Sequence, residues 1–189
     1  MGRPRQVLLI VSFVAFSWLA MQVVHESGHV MGAWATGGHV QKIVLRPLVF
    51  SRTDLTRNPH PLFVVWAGPI VGCLLPLTAF AIANAAKFPG LSLFRFFAGF
   101  CLMANGVYIA AGSLLSGADP GDMMRDGSPQ WLLILFGLIT VPAGLFMWHG
   151  QGIYFGLAGS HGKVNLAATI TSLVLLISLI VLELIYGGG

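Results

Sequence analysis

The sequence predicts an all-α polytopic membrane protein with about five transmembrane helices. Of its 189 residues, 56% are hydrophobic and only 8% are charged, whereas soluble domains carry about 25% charged residues. The apolar residues form runs long enough to cross a bilayer, which takes about 20 helical residues. Short polar segments separate these runs. We therefore expect a single membrane-embedded domain over residues 1–189.

Five apolar runs supply the predicted spans. They extend from about Val7 to Trp34, Leu62 to Ala86, Leu93 to Leu115, Trp131 to Trp148 and Val164 to Tyr186. Pro69 and Pro76 lie inside the second run and are expected to kink or divide it, because proline removes a backbone hydrogen bond. A divided or re-entrant run would change the count to four or six.

The polar segment between the first and second runs predicts a small β-hairpin at the membrane face. Its pieces Val40–Leu45 and Leu48–Phe50 are short and rich in β-branched or aromatic residues, although Pro47 interrupts the pattern. An exposed strand edge can pair with an extended peptide. We therefore expect residues 37–61 to shape the access of an extended chain that the protein binds.

The distribution of charge favours lipid over nucleic acid as a partner. The formal net charge is +4, but the ten basic residues are scattered over short segments, which gives no support to nucleic-acid binding and fits anionic lipid headgroups. Five basic residues fall on each predicted side, so the positive-inside rule favours neither orientation. The sequence does not indicate an oligomeric state. Cys73 and Cys101 lie in apolar runs and are expected to be buried thiols.

His25, Glu26 and His29 form an H-E-x-x-H motif in the second half of the first run. Residues four apart share a helix face, so both imidazoles can bind one metal. Zinc in such a site takes a third protein ligand and a water, and Glu26 would act as general base. The motif also occurs by chance in soluble helices. Three titratable groups inside an apolar run favour a metal site, because such groups are costly at membrane depth.

The connectivity of the runs brings acidic residues to the motif. If the first run ends on one side of the membrane, the second leaves from that side and the third returns to it. The loop Ser116–Gln130 therefore faces the end of the motif helix, and it contains Asp119, Asp122 and Asp126. Asp126, before Gly127, is expected to cap or solvate the loop.

Three sequence elements together resemble the site-2 protease family of intramembrane zinc metalloproteases. They are His25-Glu26-Ser27-Gly28-His29, Ala67-Gly68-Pro69-Ile70 and Asp119-Pro120-Gly121-Asp122-Met123-Met124. The resemblance covers about Val7 to Gln130 and implies that Asp119 is the third zinc ligand, with Asp122 as its rival. The chain departs from the family pattern at Gly72, where many members have Asn, and at Ala118 and Pro120, which replace Leu and Gly.

The resemblance implies a zinc metallopeptidase that hydrolyses peptide bonds of membrane protein substrates, with His25, His29 and Asp119 as ligands and Glu26 as base. The core would be 7–130, with additional helices at 131–186. One alternative is a non-proteolytic membrane metal-binding or transport protein, which would need the histidines without Glu26. Another is a metallohydrolase for lipid or prenylated substrates, which is disfavoured because no Glu lies between Glu26 and Glu183.

Other polar residues are expected to be structural. Asn105 would hydrogen-bond to substrate backbone or, as the favoured role, to a neighbouring helix. His39 and His60 lie in a polar segment and are expected at the surface. His149 and His161 are expected across the membrane from the motif, which excludes them as ligands.

Overall fold

The computed structural model describes residues 2–115, 117–157 and 164–187. Its elements are α1 (Gly2–Ala35), β1 (His39–Val44), β2 (Arg52–Arg57), α2 (Pro61–Ala85), α3 (Leu91–Leu115), α4 (Ala118–Arg125), α5 (Gln130–Trp148), a 3-10 turn (Gln151–Ile153) and α6 (Leu166–Tyr186). Every α-helix except α4 is long and apolar enough to cross a membrane. The predicted all-α fold with five spans and a small hairpin is confirmed. The expectation for His161 lies outside the described residues.

The five long helices alternate in direction. At one end of the bundle, the Leu45 N–H after β1 donates to the Gly187 carbonyl after α6, at 2.9 Å. At the other end, the Gln6 side chain on α1 donates to the Gly156 carbonyl at 2.9 Å, and Arg95 on α3 donates to the carbonyl of His149 at 3.0 Å. The end of α1, the hairpin and α4 therefore share one side, as connectivity predicts.

The helices pack as a series of neighbours, in the order α6, α1, α2, α3 and α5, with α4 against α3 and α2. Small residues allow close approach at these contacts, as is usual between helices in lipid. A Cβ at Gly28 of α1 would lie 2.8 Å from the Gly68 Cα of α2. A Cβ at Gly144 of α5 would lie 2.6 Å from the Gly99 carbonyl oxygen of α3. Side chains at these points would force the helices apart.

Two apolar clusters fix the ends of the bundle. The cluster at the α4 end consists of Val65, Ile109, Met123 and Leu133. The cluster at the opposite end consists of Leu9, Phe13 and Phe155. Met123 is fully buried, so this side chain anchors α4 between α2, α3 and α5. Cys73 and Cys101 are buried free thiols, as expected.

The hairpin differs from its prediction in the second strand. β1 covers the predicted Val40–Val44 region, but its partner is Arg52–Arg57, and Leu48–Phe50 lies in the connection. Ile43 pairs with Thr53 in the antiparallel register. The prediction of Leu48–Phe50 as a strand is wrong because it followed β-branched and aromatic content, whereas the actual strand is polar and partly exposed.

Pro69 and Pro76 do not divide the second span. α2 is one helix from Pro61 to Ala85, and both prolines are buried inside it. Membrane helices tolerate interior proline when surrounding groups satisfy the freed carbonyls. The alternative of a divided run is therefore wrong, and the predicted count of five spans is confirmed.

The segment predicted as a loop contains a helix of two turns, α4. Pro120 is its third residue, within the first turn, where a backbone N–H has no partner inside the helix. Asp-Pro-Gly, which is typical of a turn, therefore starts a helix here. This helix carries Asp119 toward α1.

Candidate metal and catalytic site

Three side chains of metal-ligand type converge between α1 and α4. The Nε2 atom of His25 lies 2.9 Å from Asp119 Oδ2, and the Nε2 atom of His29 lies 3.4 Å from the same oxygen. One ligand atom from each residue lies within 4.8 Å of the others. Both histidines are buried. His29 is six residues before the end of α1, which corresponds to about 9 Å.

The second nitrogen of each imidazole has its own partner. His29 Nδ1 lies 2.9 Å from the Val64 carbonyl oxygen of α2, which can only accept, so this nitrogen donates. His25 Nδ1 lies 2.6 Å from Asn105 Oδ1. The Asn105 amide nitrogen donates to the Cys101 carbonyl at 2.8 Å, so its oxygen faces His25 and accepts. Both Nε2 atoms thereby face the shared space, where each donates to Asp119 when its ring is protonated and offers a lone pair to a metal when its ring is neutral.

Two glycines of α2 make room for the histidine rings and for the Asn105 amide. A Cβ at Gly68 would collide with the imidazole of His29 and would lie 2.9 Å from His25 Nε2. A Cβ at Gly72 would lie 2.8 Å from both polar atoms of the Asn105 amide. The departure from the family pattern at Gly72 therefore leaves the space that Asn105 of α3 occupies.

Asp119 is held as a carboxylate beside the histidines. Burial by itself would raise the pKa of this carboxyl, but hydrogen bonds and charge from His25 and His29 outweigh burial and hold the pKa well below its usual range. The backbone N–H of Asp119 donates to the Tyr108 hydroxyl oxygen at 3.3 Å. Ala118 precedes it with φ of 50°, a strained conformation for a residue with a side chain.

Asp122 and Asp126 lie outside the cluster. Asp122 Oδ1 accepts a hydrogen bond from Arg125 at 2.7 Å on the exposed side of α4. Asp126 is the C-cap residue of α4, and its backbone N–H bonds to the Asp122 carbonyl. Of the two rival carboxylates, the structure thus places Asp119 against the histidines and Asp122 in a surface ion pair.

Glu26 is buried beside the histidines and contacts the hairpin. The hydroxyl of Thr53 on β2 donates to Glu26 Oε2 at 2.7 Å. Ile43 pairs with Thr53 across the hairpin, so the two side chains lie on the same face. This face lies against α1 at Glu26, since Thr53 bonds to Glu26 and Ile43 lines a cavity that Glu26 also lines. Thr53 was not predicted, since it lies in a polar segment without hydrophobic alternation.

The remaining polar residues fall largely where they were expected. Asn105 does bond to a neighbouring helix, but its partner is His25 and not a packing contact, which the sequence alone did not indicate. His39, His60 and His149 are exposed and lie outside the cluster. Tyr108 was not predicted, although its ring meets the His25 ring edge-on at 5.8 Å between centroids.

Five spanning helices and a His-His-Asp cluster whose histidines are buried define a multi-pass integral membrane protein with the side chains of a metal site. Residues 6–115, more than half of the chain, match the profile of a family described as Peptidase M50B-like. The chain belongs to this peptidase family, which confirms the resemblance to site-2 proteases. Comparison with curated proteins and with solved structures gives no match.

Gly68→Ala is predicted to strain the histidine cluster. The new methyl group must share space with the His29 ring, and overpacking of this kind costs about 1–3 kcal/mol of unfolding free energy. The cost should fall in a His29→Ala background, since coupled residues are non-additive. The free energy of unfolding in detergent, measured with and without Gly68→Ala in each background, gives the two costs. Gly152→Ala is the control, because within the described part of the chain its Cβ would meet only Leu157, at 3.4 Å. Equal costs in both backgrounds would contradict the contact.

Proposed function

We propose that this protein is an intramembrane zinc metalloprotease that hydrolyses peptide bonds of membrane-associated protein substrates. The observation that carries the proposal is the meeting of His25 and His29 with Asp119, beside the carboxylate of Glu26, within a bundle of spanning helices. Membership in a peptidase family supports hydrolysis over transport. We also propose that residues 1–189 act as one domain, since α5 packs on α3 and α6 packs on α1.

The donor set fits zinc. Two imidazole nitrogens and one carboxylate oxygen form a common ligand set for a catalytic zinc, with one position left for water. Two atoms bound to one zinc ion at 2.0–2.2 Å lie about 3.4 Å apart at a tetrahedral angle. The 3.4 Å between His29 Nε2 and Asp119 Oδ2 matches this value. The 2.9 Å between His25 Nε2 and the same oxygen would have to widen by about 0.5 Å. When bound, zinc would polarise the substrate carbonyl and acidify a water.

The chain's own residues would position the reactants and move the proton. Glu26 would accept the proton of the attacking water and transfer it to the leaving amine. Thr53 would hold one carboxylate oxygen, so that the other stays directed to the substrate. Asn105 and Val64 would keep each histidine in the tautomer that presents Nε2.

A membrane-spanning substrate must unwind before it can be cleaved, because a helix buries its amide groups in its own hydrogen bonds. The freed N–H and C=O groups then need partners in the bilayer. The hairpin lies beside Glu26 and can supply such partners from a strand edge, as in other cases of β-addition. This is the role in substrate access expected for residues 37–61.

Metal content tests the ligand assignment. We expect one zinc per purified chain, and His29→Ala should lose it because one of three protein ligands is removed. Asp119→Ala should lower zinc content more than Asp122→Ala, its matched control on the same helix, which lies in an ion pair with Arg125. Elemental analysis at equal protein concentration measures this. The reverse order would transfer the ligand role to Asp122, and full zinc in His29→Ala would refute the site.

Glu26→Gln is predicted to keep the fold and zinc but lose hydrolysis. Glutamine keeps the size of the side chain but cannot take a proton, and general base catalysis contributes about 10²–10⁴-fold. Cleavage of a single-span substrate in liposomes, by parent and variant with equal zinc, measures the effect. Undiminished turnover would remove Glu26 as the base. No turnover by either form would favour the non-proteolytic alternative.

Thr53→Val is predicted to lower kcat by about tenfold or more with little change in KM. A hydrogen bond to a charged group is worth about 1.5–3 kcal/mol, and each 1.4 kcal/mol is about tenfold in rate. Thr53→Ser keeps the hydroxyl and should restore activity. Thr56→Val is the control, because its hydroxyl bonds only the exposed His39 carbonyl at 3.4 Å. Full activity in Thr53→Val, with a loss in Thr53→Ser, would show that Thr53 acts through packing alone.

A further inference from the structure

A cavity of about 220 Å³ lies between α1 and the hairpin, and it is lined by Glu26 but by neither of the two histidines. Its lining is mainly aliphatic: Val23, Val30 and Met31 from α1, and Ile43 and Leu45 from β1 and the residue after it. Glu26 lines one part of the same cavity. The candidate base therefore borders both the metal-ligand cluster and an apolar space.

Apart from Glu26 and the indole N–H of the largely exposed Trp34, the side chains described along the cavity offer an occupant no spare polar group. Ser27 also lines it, but the Ser27 hydroxyl donates to the Val23 carbonyl at 2.7 Å within α1. One oxygen of Glu26 already accepts from Thr53. An occupant with an apolar body therefore fits most of the wall, and in the buried part of the wall a polar group is accommodated only beside Glu26.

The volume suits one large side chain. An apolar cavity of about 150 Å³ holds a benzene molecule, so a space of about 220 Å³ holds the side chain of leucine, methionine or phenylalanine. Met31 and Trp34 form its outer part and are 54% and 70% exposed. A substrate can thus reach the cavity from the outer surface of α1 without crossing the helix bundle.

We propose that this cavity is a specificity pocket that takes a large apolar side chain of the substrate, next to the peptide bond that is cleaved. The proposal rests on the proposed function, because it places the scissile bond at Glu26. A peptide offers an apolar side chain and, one residue away, an amide that can face the carboxylate. A lipid acyl chain offers no polar group there and would leave the buried Glu26 carboxylate against hydrocarbon, which is costly.

The test is a substrate series with alanine, leucine, phenylalanine or tryptophan at each position flanking the mapped cleavage bond. The parent should cleave the leucine or phenylalanine substrate at least about tenfold more efficiently than alanine at one position, in kcat/KM. Ile43→Ala enlarges the pocket and should raise the efficiency for tryptophan relative to leucine. Val23→Phe fills it and should shift the preference toward alanine. Val11→Phe is the control, since Val11 lies on α1 outside the cavity.

The possible results distinguish a failure of the proposed pocket from a failure of the proposed protease function. If the parent cleaves but Ile43→Ala and Val23→Phe keep its preference at both positions, the pocket is refuted while the proposed protease function stands. If the zinc-loaded parent cleaves none of the series, the protease function fails and the pocket falls with it. The two variants change volume in opposite senses, so a common loss of activity from misfolding cannot mimic opposite shifts in preference.

Crosslinking identifies the occupant of the cavity directly. Glu26→Gln is mixed with a substrate that carries a photoreactive leucine analogue at the selective position, in vesicles with or without a photoreactive phospholipid. Crosslinks from the substrate to Met31 or Ile43 are expected, and excess unlabelled substrate should reduce them. Crosslinks to these residues from the phospholipid alone, with none from the substrate, would assign the cavity to an acyl chain and overturn the proposal.

Discussion

The close approach of α1 and α2 is the constraint on which the rest of the site depends. Gly28 and Gly68 face each other without side chains, so the histidines of α1 lie directly over the backbone of α2. At this distance the Val64 carbonyl, which has a second lone pair beyond its helical bond, accepts from His29. A wider separation would leave that nitrogen unpaired in an apolar interior, where an unmade hydrogen bond is expensive. The close packing of α1 on α2 is therefore also what allows His29 to make its hydrogen bond.

The spans, the motif and the side on which Asp119 lies could all be predicted from the sequence. Long apolar runs determine helices in a bilayer because backbone groups have no other partners there. The spacing of His25 and His29 determines a shared face. Connectivity then brings the loop after the third run to that face without any knowledge of packing. These features depend on composition, period and order along the chain, which a single sequence contains.

Thr53, Asn105 and the helix that carries Asp119 could not be predicted in the same way. Thr53 reaches Glu26 only through the register of a polar strand, and a polar strand has no hydrophobic alternation to reveal it. Asn105 reaches His25 only because Gly72, on another helix, leaves space for its amide. Local preference at Asp119 favours a turn, whereas burial of Met123 four residues later stabilises a helix. Each of these features depends on contacts distant in sequence.

The position of Asp119 on α4 also has a consequence for biosynthesis. His25 and Asp119 are 94 residues apart, and α2 and α3 lie between them. Ribosomes add about 5–20 residues per second, so about 5–20 seconds separate the synthesis of the histidines from that of their acidic partner. During this interval the nascent chain holds two imidazoles without the carboxylate. The complete constellation therefore forms only after the third span is made, which restricts the proposed activity to chains whose insertion is well advanced.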